Sequence, residues 1–104
     1  MTGKYTGAAL ETMEIIMGGM NPCKPNKTYY NDKYNIYWYV NTKGYLHVLQ
    51  PCIMEYGGRT HFVIRDSMLT KDDMLKETSV YGDYTTKEDC IDAIMEREGV
   101  IQWD

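Results

Sequence analysis

Phenylalanine appears only once in this 104-residue chain, and arginine and cysteine three times each. No apolar run approaches the ~20 residues that a membrane-spanning helix requires. The cysteines, Cys23, Cys52 and Cys90, are odd in number and widely spaced. Without a Cys-x-x-Cys pair they suit neither a zinc ribbon nor a disulfide framework, and they read as reduced, inert thiols. Glycine pairs occur at Gly18-Gly19 and Gly57-Gly58, but neither sits in a G-x-x-x-x-G-K-[ST] or G-x-G-x-x-G pattern. A backbone cradle for phosphate is therefore not expected. The N-terminal stretch makes a poor secretion signal, because Glu11, Thr12 and Glu14 interrupt its apolar residues and only Lys4 precedes them. The expected location is the cytoplasm.

What the chain does have is tyrosine and methionine, ten and eight of them. Tyrosine covers apolar surface while keeping a hydroxyl for water, and methionine adapts to irregular neighbours. At 43% hydrophobic and 25% charged the composition is that of an ordinary folded protein, and the length suits one domain, residues 1–104. Charge is uneven within the net −4: residues 1–65 hold seven Lys/Arg against four Asp/Glu, residues 66–104 four against eleven. Such asymmetry bears on partners rather than on fold.

Apolar residues at three-to-four spacing (Ala9/Leu10, Met13, Ile16/Met17, Met20) predict a first helix, capped by Thr6 and stopped by Gly18-Gly19. The prolines and asparagines of "NPCKPNKTYYNDK" predict a loop. The stretch "NIYWYVNTKGYLHVLQ" predicts a hairpin whose loop is Thr42-Lys43-Gly44, with Gly44 in the left-handed position. Val40 then opposes Leu46, and Trp38 opposes Val48. Ile36, Trp38, Val40, Leu46 and Val48 share one face, expected in the core. Tyr37, Tyr39, Tyr45, His47 and Leu49 share the other, expected to be open.

Pro51 predicts an edge or a bulge. "GG" predicts a tight turn into a third strand, "RTHFVIR". "SMLTKDDMLKET" reads as a short helix capped by Thr70, followed by a short strand at "SVYGDY". Thr85 with Glu88 predicts a capping box for a last helix, with Ile91, Ile94 and Met95 buried and Gly99 ending it. "VIQWD" is expected to add a strand or to pack Trp103. The whole predicts an α+β fold: an antiparallel meander of three to four strands with N- and C-terminal helices packed on one face.

Chemistry is harder to find. Cysteine with histidine lacks any local signature, and both histidines fall mid-strand rather than on loops. Cys23, Cys52, His47 and His61 have no ligand-pair spacing, so no metal is expected. The pairs Asp72-Asp73 and Glu88-Asp89 suit helix starts better than acid–base work. No catalytic residue and no cofactor is assigned, and the chain reads as non-enzymatic.

Two surfaces remain. Tyr37, Tyr39, Tyr45 and His47 have the aromatic character of interface anchors. Glu88, Asp92 and Glu96 recur every four residues and form an acidic line suited to a basic protein, such as the nucleic-acid groove of another protein. The expected function is a binding module that docks on a protein partner. The alternatives are a nucleotide-like ligand held by tyrosines with Lys24, Lys27 or Arg59, an RNA or single-stranded DNA binder, which the acidic balance disfavours, and a homodimer through a strand edge or the tyrosine face. A short, acidic, tyrosine- and methionine-rich chain without catalytic signature is similar to small accessory proteins of bacteriophages, including those that inhibit host defence enzymes. That resemblance implies an inhibitor working in the host cytoplasm.

Overall fold

The computed structural model describes residues 4–96. The expectations for Gly99 and Trp103 lie outside them. Two helices and five strands follow in the order α1 (Gly7–Met17), β1 (Tyr29–Asn31), β2 (Ile36–Val40), β3 (Leu46–Tyr56), β4 (Arg59–Leu69), β5 (Leu75–Tyr84) and α2 (Lys87–Met95). The strands form one antiparallel sheet in sequential order. The fold is α+β, with five strands where three to four are expected.

The predicted hairpin register holds. Val40 pairs with Leu46 and Trp38 with Val48. The Asn41 N–H donates to the Tyr45 carbonyl (2.9 Å) and the Gly44 N–H to the Asn41 carbonyl (3.0 Å), with Gly44 at φ 90°. α1 ends as expected. Gly18 takes φ 63°, and the N–H groups of Gly18 and Gly19 return to the carbonyls of Ile15 and Glu14. Asn31 of β1 adds a second closure that the sequence does not announce, its Nδ2 donating to the Ile15 and Ile16 carbonyls.

No helix forms at residues 67–78. That segment is the β4–β5 hairpin. Its turn repeats the geometry of the first: Thr70 N–H to the Met74 carbonyl (2.7 Å), Asp73 N–H to the Thr70 carbonyl (3.1 Å), and Asp73 at φ 63° where the first turn has Gly44. Side chains complete both turns alike. Asn41 Oδ1 accepts from the Tyr45 N–H and Thr70 Oγ1 from the Met74 N–H. The acids taken for a helix start are turn residues. At α2 the cap lies one residue later than expected, Thr86 Oγ1 accepting from the Asp89 N–H (3.1 Å). Cys90 and Ile94 are its buried residues, while Met95 is exposed.

The helices lie on opposite faces of the sheet, not on one. α1 packs Ala9, Met13, Ile16 and Met17 against Trp38, Val40, Leu46 and Val48. α2 packs Cys90 and Ile94 against Tyr39, Leu49 and Ile64. The two alternating sets of one hairpin therefore serve two cores.

Pro51 is explained by backbone direction. Residues 41 and 45 form a hydrogen-bonded pair, so alternation aims the backbone groups of odd-numbered β3 residues at β2 and of even-numbered ones at β4. Proline at 51 costs the β3–β4 ladder nothing. Pairing with β2 stops at Leu49, because Asn35 at φ 57° turns the chain away. β3 is thus an edge from Pro51 onward, as expected. β5 pairs with β4 only from Phe62. Residues 54–56 and 59–61 consequently form a two-stranded arm.

A left-handed residue with a Cβ is less favoured than glycine. Asp73→Gly should raise the unfolding free energy by about 0.5–1 kcal/mol, and Gly44→Ala should lower it by at least as much. Chemical denaturation measures both.

Candidate functional site

The five residues expected on an open face are divided, and Leu49 is 1% exposed in the α2 core. Tyr39 and His47 are 1% and 5% exposed, Tyr39 packed in the α2 core and His47 stacked on it. Tyr45 turns to the other side, edge-on to Tyr5 at 6.0 Å in the α1 core. Tyr37 is half-buried against the α2 core, its ring 4.8 Å from that of Tyr30. A fold with both helices on one side would leave this face open, but α2 packs on it over Tyr39 and Leu49. Glu88, Asp92 and Glu96 do lie exposed along α2.

Tyr39 and His47 belong to a buried polar network centred on Asp66, which is 0% exposed. The Tyr39 hydroxyl donates to Asp66 Oδ2 (2.7 Å), and His47 Nδ1 meets Asp66 Oδ1 (2.7 Å). The two rings stack at 4.6 Å and 15°. Asn41 fixes the tautomer. Its Oδ1 accepts from the Lys43 and Tyr45 N–H groups, so its Nδ2 faces His47 Nε2 at 3.2 Å as a donor. Nε2 is therefore an acceptor and Nδ1 carries the proton given to Asp66. Thr78 Oγ1 donates to the Asp66 carbonyl (2.9 Å). A histidine oriented by a carboxylate can act as a general base when its other nitrogen is free. Here Asn41 of the hairpin turn occupies that nitrogen, and the ring is buried.

His61, at the base of the arm, has the opposite arrangement. Its Nδ1 faces Asp83 Oδ1 (2.7 Å) and its Nε2 the Tyr56 carbonyl (3.0 Å). Both partners accept, so both nitrogens hold protons. The bond to Asp83 first, then the Tyr56 carbonyl, raises the His61 pKa above its ordinary 6.5. The same bond lowers Asp83 below its ordinary 3.8. Arg59 Nη2 lies 3.9 Å from the other Asp83 oxygen, on the surface. The imidazolium ties the arm to β5.

The tyrosines beside Lys24, Lys27 and Lys33 in the loop and β1, Tyr29 and Tyr30, are engaged within the fold. Tyr29 stacks on Trp38 (4.8 Å, 26°) and its hydroxyl accepts from the Lys24 N–H. The Tyr30 hydroxyl donates to Asn35. Lys24 and Lys27 lie by the β2–β3 turn, where the Asn26 N–H reaches the Val40 carbonyl. Arg59 stands at the far end of β3, about 35 Å away at ~3.4 Å per residue. No single phosphate site gathers them.

The three thiols are unpaired. Burial pushes Cys23 and Cys90 up, away from thiolate character. Among the described residues no group of three or more His, Cys, Asp or Glu is gathered to hold a metal.

Large apolar side chains stand in water at several places, among them Ile15 on α1 and Met74 with Leu75 at the β4–β5 turn, and three of them lie together near the end of β3. Ile53, Met54 and Tyr56 are 66%, 45% and 72% exposed. The segment "CIMEY" has the composition of a strand, which does not by itself tell an exposed strand from a buried one. A signal was available: Pro51 marks the point where the strand loses its neighbour.

Tyr39→Phe removes a donor from a buried carboxylate and should cost about 1–3 kcal/mol of stability in denaturant titration. His61 should titrate above 6.5 by NMR, and Asp83→Asn should return it toward that value. Its raised pKa contributes stability that is complete below pH 6.5 and is lost as pH rises through the folded-state value. The lowered Asp83 contributes above pH 3.8 and is lost as pH falls through its own folded-state value. The contribution of the pair is thus whole between those limits, and thermal midpoints of wild type and Asp83→Asn against pH measure it. No protein-family model, no curated protein and no solved structure matches this chain.

Proposed function

We propose that this protein is a non-enzymatic binding module that docks on a protein partner through the β3–β4 arm. The observation that carries this reading is the exposure of Met54 and Tyr56 on the two-stranded arm and of Ile53 at its root. Isolated surface hydrophobics are ordinary, but a group of them on a projecting element suits an interface. The docking surface is therefore not the tyrosine face that the sequence suggested. The acidic line Glu88, Asp92 and Glu96 lies along α2 and supplies the field that steers a basic partner. The likeness to small bacteriophage accessory proteins extends the reading to inhibition of a host defence protein.

Capture from host lysate tests it. Wild type should retain one protein at stoichiometric level. Ile53→Asp and Tyr56→Ser should each lose it while the thermal midpoint stays within a few degrees, since exposed positions contribute at most about 0.5 kcal/mol to folding. Glu88→Gln with Asp92→Gln and Glu96→Gln should slow association and flatten its salt dependence. Capture of nucleic acid, or capture indifferent to the arm variants, overturns the proposal.

A further inference from the structure

The arm has an open backbone edge as well as apolar side chains. Beyond Leu49, the odd-numbered residues of β3 aim their backbone groups at the side that β2 has left. These are the Pro51 carbonyl and the N–H and carbonyl of both Ile53 and Glu55. Among the described residues nothing pairs with this edge. Directly beside it, where β2 ends, a cavity of about 300 Å³ opens between the sheet and α2. Ile36, Tyr37, Leu49, Pro51, Lys87 and Ile91 line it. An open edge supplies main-chain hydrogen bonds, and an adjoining pocket selects a side chain, which together are the two elements of strand addition.

We propose that residues 51–56 of β3 receive an extended, basic segment of a protein partner as an added strand, with one of its apolar or aromatic side chains seated in the cavity. This rests on the docking role assigned to the arm. Charge decides the occupant. Glu55 lies on the edge itself, and α2 beside the cavity carries exposed Glu88, Asp89 and Asp92 against Lys87, the one charged residue of the lining, so the acids outnumber the cation there. The chain carries −4 overall, so a second copy would bring like charges together, whereas a segment bearing lysine or arginine complements them. The added strand continues the plane that β2 leaves. Its alternate side chains enter the space under α2, beside Leu49 and Pro51.

Short synthetic peptides test this on the full wild-type chain. They alternate threonine and valine around a central tyrosine, flanked by lysines in one version and by glutamates in another. A third version is the lysine peptide N-methylated at alternate residues. Binding of the lysine peptide should slow amide exchange at Ile53 and Glu55 by about tenfold or more. The glutamate peptide should bind about tenfold more weakly, and the N-methylated one should give no protection. No slowing at these two amides with any peptide overturns the proposal. So does slowing without peptide accompanied by a dimer in sedimentation, which makes a second copy the occupant.

The captured partner separates strand addition from the docking role itself. Ile53→Pro removes an outward N–H and should weaken partner binding by about tenfold, the size expected for one or two backbone hydrogen bonds. A partner that holds Ile53→Pro as tightly as wild type, yet is lost with Tyr56→Ser, leaves side-chain docking standing and excludes strand addition. A partner indifferent to both variants excludes both.

Discussion

A carboxylate without access to water sits at the centre of this fold, and the sheet is organised around satisfying it. Asp66 comes from β4, Tyr39 from β2 and His47 from β3, and Thr78 of β5 holds the Asp66 backbone. One network therefore joins four of the five strands. An ionised group in such a place is tolerated only when its lone pairs are filled. A one-residue slip of β2 against β3 would turn Tyr39 toward the wrong face and leave the carboxylate short of a donor. The network thus makes one register far better than its neighbours, whatever its net contribution to stability.

This also accounts for the tyrosine-rich composition. Both faces need rings that carry a hydroxyl, where phenylalanine would leave polar partners unmet. Tyr39 packs beside Leu49, Ile64 and Ile94 while its hydroxyl serves Asp66. Tyr5 does the same on the opposite face. Abundant tyrosine here marks a wet network inside a dry core as much as an exposed binding surface.

What the sequence made legible was local. Gly44 announced its turn, because glycine is the usual left-handed residue, and the hairpin register followed. Asp73 takes the same backbone position in an equivalent turn but looks like a helix-start acid, so local sequence there favours a helix over the hairpin that forms. Alternation showed that Tyr37, Tyr39 and His47 share a face. It could not show whether that face was dry, because this depends on where α2 returns in three dimensions. The acidic stripe of α2 was readable, since i, i+4 spacing fixes a helix face. The arm was not, because an exposed strand and a buried one have similar composition until the neighbouring strand's end is known. Pro51 was the one local clue.

Tyr5 illustrates how a single hydroxyl can join layers. It donates to the Leu69 carbonyl (2.7 Å) and accepts from the Leu46 N–H (2.8 Å), one step beyond the last β3–β4 pair, His47 with Met68. Burial pushes its pKa up to about 12, so it stays protonated and can play both roles. The phenol is in effect a rung inserted between two strands, carried by the residue just ahead of the first helix. Peeling that helix away would strip both backbone groups of their partner. Helix and sheet are thereby locked into a single cooperative unit, and the stretch from Tyr5 into α1 cannot detach without unzipping the end of the central ladder.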